Sequence, residues 1–345
     1  MSTATARRVT PNAVLVLPAT ADRAEWLAAR HAGVGSSDIA ALMGATAYAG
    51  PQHVYYSKVG RLPLESDAGE AALWGTLHED TVAREWARRN RTVVRRVGLI
   101  AAVGAPWMMC TLDRRCTECP LNADVRENCA VEIKTRSQFL AKKWRRDVPD
   151  DVLAQVLWQI HITGYDHLHV AVLIGGNDYR QYTVYRRGNE ELIDDIVTVA
   201  SRFWHEHVLA RLVPAALGTE DPDALIDLYE QLNPGRTGWV NLENHPSAYW
   251  DVQDYLKHQR IESEAKKAKE AAKARMVEAL GGAVYARFDG DDAYSYKQYS
   301  RQSVNVARLA ERWPEAYADV VRDKKPRKLM IEKRYAQEVR DDVAA

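Results

Sequence analysis

Residues 129–135 read CAVEIKT, in which the apolar Val131 and Ile133 alternate with Glu132 and Lys134. Successive side chains leave a strand on opposite faces, so this period of two predicts a half-buried β-strand. It also puts a carboxylate and an ammonium together on one face, where a half-buried ion pair needs a reason. The strand closes a block rich in Val, Ile and Met, made of TVVRRVGLIAA (92–102), PWMMCTLDRR (106–115) and CAVEIKT. These runs read as consecutive strands.

Helical periodicity brackets the block. ATADRAEWLAARHAG (19–33) ends in glycine, as helices commonly do. In GVGSSDIAALMG (33–44), Ser36, Ser37 and Asp38 cap a short helix and offer hydroxyls beside backbone N–H groups, an anion-binding corner. AALWGTLHEDTVAREWARRN (71–90) is amphipathic, with Leu73, Leu77, Val82 and Trp86 expected as its buried stripe and Glu79 near the edge. DDVLAQVLWQIHITG (150–164) and NEELIDDIVTVASRFWHEHVL (189–209) are further helices. Strands at 168–176 and 179–187 lie between them, joined by a Gly-Gly-Asn-Asp turn. The expected order is α-α-β-β-β-α-β-β-α, an α/β (α+β) core with a mixed central sheet flanked by helices.

Residues 1–14 read as a disordered lead, 15–212 as the core with a cysteine-bearing loop at 114–130, and 213–246 as a Pro/Gly-punctuated linker. Residues 247–345 form a C-terminal helical arm: a long charged helix at 247–280, a hairpin around Asp289-Gly290-Asp291 and a basic tail containing KKPRK at 324–328. Lys and Arg balance Asp and Glu at 47 each, so any polyanion site must be a local basic patch. No apolar run approaches the roughly 18 residues of a membrane span. The AVLVLP run at 13–18 is too short for a secretory signal and is broken by Pro18. A cytoplasmic location is expected, the host cell's cytoplasm if the chain is phage-encoded.

If the strands carrying Asp113 and Glu132 pair as a hairpin, the register 113 + 132 = 116 + 129 sets the two carboxylates opposite one another with Lys134 beside them. Hard oxygen ligands of this kind suit Mg²⁺ (or Mn²⁺), and the Ile133 carbonyl adds one more. A surface salt-bridge cluster is the other reading of the same residues. Cys110, Cys116, Cys119 and Cys129 follow C-x5-C-x2-C-x9-C, and the remaining positions hold no cysteine. Clustering of this sort points either to a structural metal, Zn²⁺ or an iron–sulfur cluster, or to reduced thiols or one disulfide. His161, His167 and His169 read as scattered structural or exposed residues, and Gln159 as a helix-surface residue.

The ordered set WLAARHAGVGSSDIAALMG, WGTLHED, PWMMCTLDRR, VEIKT and LAQVLWQIHITG resembles the YqaJ-type viral recombinases, the phage lambda exonuclease group of the PD-(D/E)XK nucleases. The resemblance covers about residues 15–210 and implies a PD-(D/E)XK restriction-endonuclease-like core. It implies catalytic roles for Glu79, Asp113, Glu132, Lys134 and Gln155. Asp113, Glu132 and the Ile133 carbonyl would be the metal ligands, with Glu79 assisting through water and His78 its rival at that turn. Phosphate contacts would come from Arg30 and Ser37, with Ser36 beside them. The function implied is a Mg²⁺-dependent exonuclease that degrades linear duplex DNA 5′ to 3′ and leaves 3′ single strands for recombination. DNA ends, a single-strand annealing recombinase and a homo-oligomeric ring are the implied partners. A structure-specific endonuclease and a non-catalytic DNA-binding or recombinase-recruiting protein are the alternatives. The chain departs from the family pattern at Thr111-Leu112, and at Arg114, where a glycine commonly follows the aspartate.

Overall fold

A computed structural model describes residues 7–63, 69–121, 129–245, 247–301, 303–322 and 329–332. The contact pattern divides the chain into two units, Met1–Arg236 and Thr237–Ala345. The first unit runs β1 (Ala13–Leu17), α1 (Arg23–Arg30), α2 (Ser36–Leu42), α3 (Pro51–Lys58), α4 (Gly69–Arg89), β2 (Val94–Arg95), β3 (Leu99–Ala102), β4 (Ala105–Thr111), β5 (Arg114–Cys116), β6 (Ala130–Arg136), α5 (Asp150–Thr163), β7 (His167–Ile174), β8 (Asp178–Tyr185), α6 (Glu190–Arg202) and α7 (Pro222–Leu232).

The strands form two sheets. One is mixed and five-stranded, ordered β2-β5-β6-β7-β8, with β6 and β7 parallel and the other neighbours antiparallel. The other is antiparallel and three-stranded, ordered β1-β3-β4. The expected run of strands is thus shared between two sheets. The chain passes from β4 to β5 through Leu112-Asp113, and Leu112 is buried at this crossing. β1 begins at Ala13, inside the stretch expected to be an unstructured lead, because its pairing partner β3 lies some 85 residues further along.

Packing follows the alternation along β6 and β7. Val131, Ile133 and Ala171 join Val82, Ala83 and Trp86 of α4 in one apolar cluster. Ala130, Leu168, Val170 and Val172 join Val152, Val156, Leu157 and Ile160 of α5 in the larger core on the other face. Full burial of each such aliphatic side chain stabilises the fold by about 1.5–3 kcal/mol. Two helix–sheet layers therefore grip one central strand. α5 is pinned further by the Trp158 indole N–H, which donates to the Met109 carbonyl at 3.0 Å. It ends at Gly164, whose left-handed φ of 75° lets its N–H reach the Ile160 carbonyl.

α4 covers the expected span, but its buried face is shorter than the periodicity suggests. Val82 and Trp86 are buried, while Leu73 and Leu77 are exposed. The first half of the helix flanks a cleft rather than a core. Part of the expected linker belongs to the first unit: the Asp221 N–H donates to the Ala47 carbonyl at 2.8 Å, and Leu228 of α7 is buried.

In the second unit α8 (Ala248–Leu280) is a 33-residue helix, and β9 (Tyr285–Phe288) and β10 (Asp291–Ser295) form the expected hairpin. Two short helices follow, α9 (Val306–Arg312) and α10 (Pro314–Val320). The KKPRK run lies outside the described residues. No helix among the described residues is long and apolar enough to cross a membrane.

Gly33 fixes the approach of the α1–α2 connection to β4. The Val34 N–H donates to the Trp107 carbonyl at 2.7 Å, and a Cβ on Gly33 would lie 2.3 Å from that carbonyl oxygen. Because the obstacle is backbone, it cannot swing aside. Gly33→Ala is expected to cost about 1–3 kcal/mol in denaturant unfolding, as overpacking does. An unchanged unfolding midpoint would show that the connection is not held this closely.

Candidate active site

Asp113 leaves the end of β4 as the chain crosses between sheets, and the β5–β6 register places it next to Glu132. Arg114 pairs with Val131 and Arg115 with Ala130, so continuing the register by one residue brings Asp113 opposite Glu132. The β5 ladder stops there, and Asp113 Oδ2 takes its place by accepting from the Ile133 N–H at 2.7 Å. In antiparallel pairing the N–H and C=O of one residue serve the same neighbour. The Ile133 carbonyl therefore emerges at the same open edge.

Glu132 is only 2% exposed. Its Oε1 accepts from Lys134 Nζ at 2.5 Å and from Gln155 Nε2 at 2.6 Å, and its Oε2 accepts from Gln159 Nε2 at 2.7 Å. Gln155 Oε1 in turn accepts from Lys134 Nζ at 2.9 Å. Gln155 and Gln159 stand one turn apart on α5 and so share a face. Gln159 is not a helix-surface residue: it is fully buried and also donates to the Thr111 carbonyl at 3.2 Å. Its Oε1 is buried without a hydrogen-bond partner among the described residues.

Asp113 is half-buried beside this network. Burial first, and the Glu132 charge second, raise its proton affinity well above the usual aspartate range, against the opposing pull of Lys134 and the Ile133 N–H. Two carboxylates this close and this dry create a demand for positive charge that a single lysine does not meet.

Glu79 projects from α4 at the rim and accepts from Arg114 Nη1 at 2.6 Å, while Asp80 accepts from Arg114 Nη2 at 3.0 Å. Arg114 is itself buried and also donates to the Asp113 carbonyl. The residue that departs from the glycine of the family pattern thus clasps α4 to the β4–β5 crossing. The Arg114 bond, followed by other nearby arginines, keeps Asp80 below the usual carboxylate range. His78 stacks on Trp74 and does not line the cleft.

An open cleft of about 1160 Å³ runs past these groups. Ser37, Glu79, Asp113, Glu132, Lys134 and Gln155 line it, and its far wall mixes Arg136, Lys143 and Arg146 with Asp147, Asp150 and Asp151. Ser37 Oγ accepts from Arg30 Nη2 at 2.7 Å. Arg30 is held from behind by Asp38 at 3.6 Å and by the Trp26 ring, whose centroid lies 4.8 Å from its guanidinium carbon. Ser36 is buried and does not line the cleft, which leaves Ser37 as the exposed hydroxyl of the pair.

The cysteines divide differently from their spacing. All four are free, so no disulfide forms. Cys110 faces the larger core, whereas Cys116, Cys119 and Cys129 lie in the α4-side cluster. Cys119 and Cys129 meet His167 and His169, with their ligand atoms all within 4.8 Å of one another, and neither Cys110 nor Cys116 belongs to that group. His167 and His169 are therefore not scattered. They occupy alternate positions on β7, so an H-x-H pattern in a strand was the signal that points both rings to one face.

With this geometry in view, residues 25–166 match the model of the YqaJ-like viral recombinase domain. It is homologous to the uncharacterized YqaJ protein of Bacillus subtilis (strain 168), with 27% identity over 319 residues, 90% of this chain and 94% of that protein. Among solved structures it is similar to the alkaline exonuclease LHK-Exo from Laribacter hongkongensis, at 20% identity and a TM-score of 0.45 over 55% of this chain and 94% of that one. The complex of LHK-Exo with dAMP matches at 19% identity and a TM-score of 0.44 over the same shares of the two chains.

The raised proton affinity of Asp113 sets a sign. A carboxyl that holds its proton more tightly when folded favours folding below its ordinary range, and that advantage is lost as pH rises through the folded value. Asparagine keeps an acceptor for the Ile133 N–H without the charge. In EDTA, Asp113→Asn is therefore expected to unfold at higher denaturant than wild type at mildly alkaline pH. The gain should shrink as pH falls toward the ordinary aspartate range. A wild type at least as stable as the variant at alkaline pH would contradict the buried-charge account.

Proposed function

We propose that the chain is a metal-dependent DNA nuclease that degrades linear duplex DNA from its ends, 5′ to 3′, leaving 3′ single strands for phage-type recombination. The observation that carries this reading is the convergence of Asp113, Glu132 and Lys134 on one floor of the cleft, inside the stretch that matches the YqaJ-like domain. A surface salt-bridge cluster has no need of 2% exposure at Glu132 or of two glutamines committed to it.

The donor set fits a hard divalent cation. Asp113, Glu132 and the Ile133 carbonyl offer only oxygens, as Mg²⁺ and Mn²⁺ prefer. The raised proton affinity of Asp113 marks a site where a cation would relieve charge repulsion. Glu79 is already held by Arg114, so its contribution would pass through water. When bound, the ion supplies Lewis acidity at the phosphodiester.

The protein's own groups do the rest. Lys134, steered by Glu132 and Gln155, positions the attacking water and offsets charge developing on the phosphoryl oxygens. Arg30 and Ser37 hold a terminal phosphate at the start of α2, and Arg136, Lys143 and Arg146 track the backbone of the strand. A homo-oligomeric ring would confine duplex ends, and a single-strand annealing recombinase would receive the product. The reaction would take place in the cytoplasm, that of the host if the chain is phage-encoded.

Digestion of 5′-phosphorylated linear duplex DNA with Mg²⁺ tests this, with closed circular DNA and EDTA alongside. Only the linear substrate should be lost, label at the 5′ end should be released first, and EDTA should stop the reaction. Lys134→Ala should lower the rate by about 10²-fold or more, as loss of a charge-stabilising donor does. Cutting of the circle would make the protein an endonuclease on the same core. DNA binding without cleavage would make it a recruiting protein.

A further inference from the structure

The cysteines and histidines behind the catalytic strand form a second constellation that the nuclease chemistry does not use. Cys119 follows β5, Cys129 sits one residue before β6, and His167 and His169 lie on β7. All four are buried. Cys119 Sγ lies 3.0 Å from His167 Nε2 and 3.8 Å from His169 Nε2, and all four ligand atoms fall within 4.8 Å of one another.

Zinc–sulfur and zinc–nitrogen bonds of about 2.3 and 2.0–2.1 Å, set tetrahedrally, place neighbouring ligand atoms about 3.3–3.8 Å apart. The 3.0 and 3.8 Å separations of Cys119 from the two imidazoles span that range, so an ion fits among the four atoms with small side-chain adjustments. We propose that Cys119, Cys129, His167 and His169 bind a structural zinc ion. Two thiolates and two imidazoles fill a tetrahedral shell and leave no position for substrate, which assigns the ion a structural role.

The surroundings orient the ligands. His169 Nδ1 contacts Thr183 Oγ1 at 3.0 Å, an outer bond that turns Nε2 toward the cysteines. Trp86 packs against the same imidazole, with ring centroids 5.1 Å apart. Cys116 borders Cys129 but stays outside the four-atom group. The parallel register pairs His169 with Val131 and Val170 with Glu132. The proposed ion therefore lies on the α4 face of the sheet, and the carboxylates lie on the α5 face. It would tie both ends of the β5–β6 connection to β7 directly behind Glu132.

Metal analysis of the purified full-length chain tests the proposal, in an Asp113→Asn background so that the catalytic cleft does not contribute. Roughly one zinc ion per chain is expected, with two sulfur and two nitrogen neighbours by X-ray absorption at the zinc edge. Cobalt in its place should give a thiolate charge-transfer band and the intense visible bands of a tetrahedral site. His167→Ala and Cys129→Ser should each lose the metal, whereas Cys116→Ser and Cys110→Ala should retain it. If the histidine and cysteine variants do not fold, the absorption spectrum of the folded parent still decides between this ligand set and another. A folded parent that contains no zinc and takes up no cobalt overturns the proposal, as does iron with sulfide. Loss of zinc from Cys116→Ser, or a shell with three sulfurs, overturns the ligand assignment.

Discussion

A carboxylate side chain at 2% exposure, in the middle of a strand packed on both faces, is tolerated only when donors replace the water it has lost. Glu132 has three such donors: Lys134 from its own strand, and Gln155 and Gln159 from α5. The two glutamines reach it only if α5 lies at one angle and one height over β6. The helix is accordingly fixed by its apolar stripe, by the Trp158 bond to Met109 and by the Gly164 cap. Removing any one donor would leave part of a buried charge uncompensated, so the polar network and the core around it are one mechanical unit.

The same strand divides the unit into two chemistries. Its even-numbered residues, Glu132 and Lys134, face the cleft, and its odd-numbered residues, Val131 and Ile133, face α4 with Cys116, Cys119 and Cys129. The β4–β5 crossing at Leu112-Asp113 brings a second carboxylate to the cleft side without a ladder hydrogen bond to compete for it. Arg114 then ties the crossing to α4 through Glu79 and Asp80. Rigidity under the carboxylates thus comes from both layers, as the proposed chemistry would require.

Local patterns carried much of this. The alternation in CAVEIKT located β6 and the shared face of Glu132 and Lys134, and the residue sum of 245 gave the register of Asp113 against Glu132 that the β5–β6 pairing continues. The helical period placed α5 to within a residue, and it was the family resemblance that set Gln155 at the site. What escaped depends on contacts distant along the chain. β1 is a strand only because β3 pairs with it, and one apolar run was divided between two sheets by a crossing with no turn residue to mark it. Leu73 and Leu77 fit an apolar stripe, but among the described residues no layer covers that half of α4. Gln159 looked like surface until β6 was placed beneath it, and His167 and His169 acquired partners only when β7 lay parallel to β6.

The central proposal is that Asp113 at the β4–β5 crossing and the buried Glu132 of β6 hold a divalent cation. Anomalous diffraction from crystals soaked in Mn²⁺ addresses it without relying on turnover. The account predicts a manganese peak coordinated by Asp113, Glu132 and the Ile133 carbonyl, and its disappearance in Asp113→Asn crystals. Ordered, fully occupied side chains with no peak between Asp113 and Glu132, or a peak that survives the substitution unchanged, would contradict it.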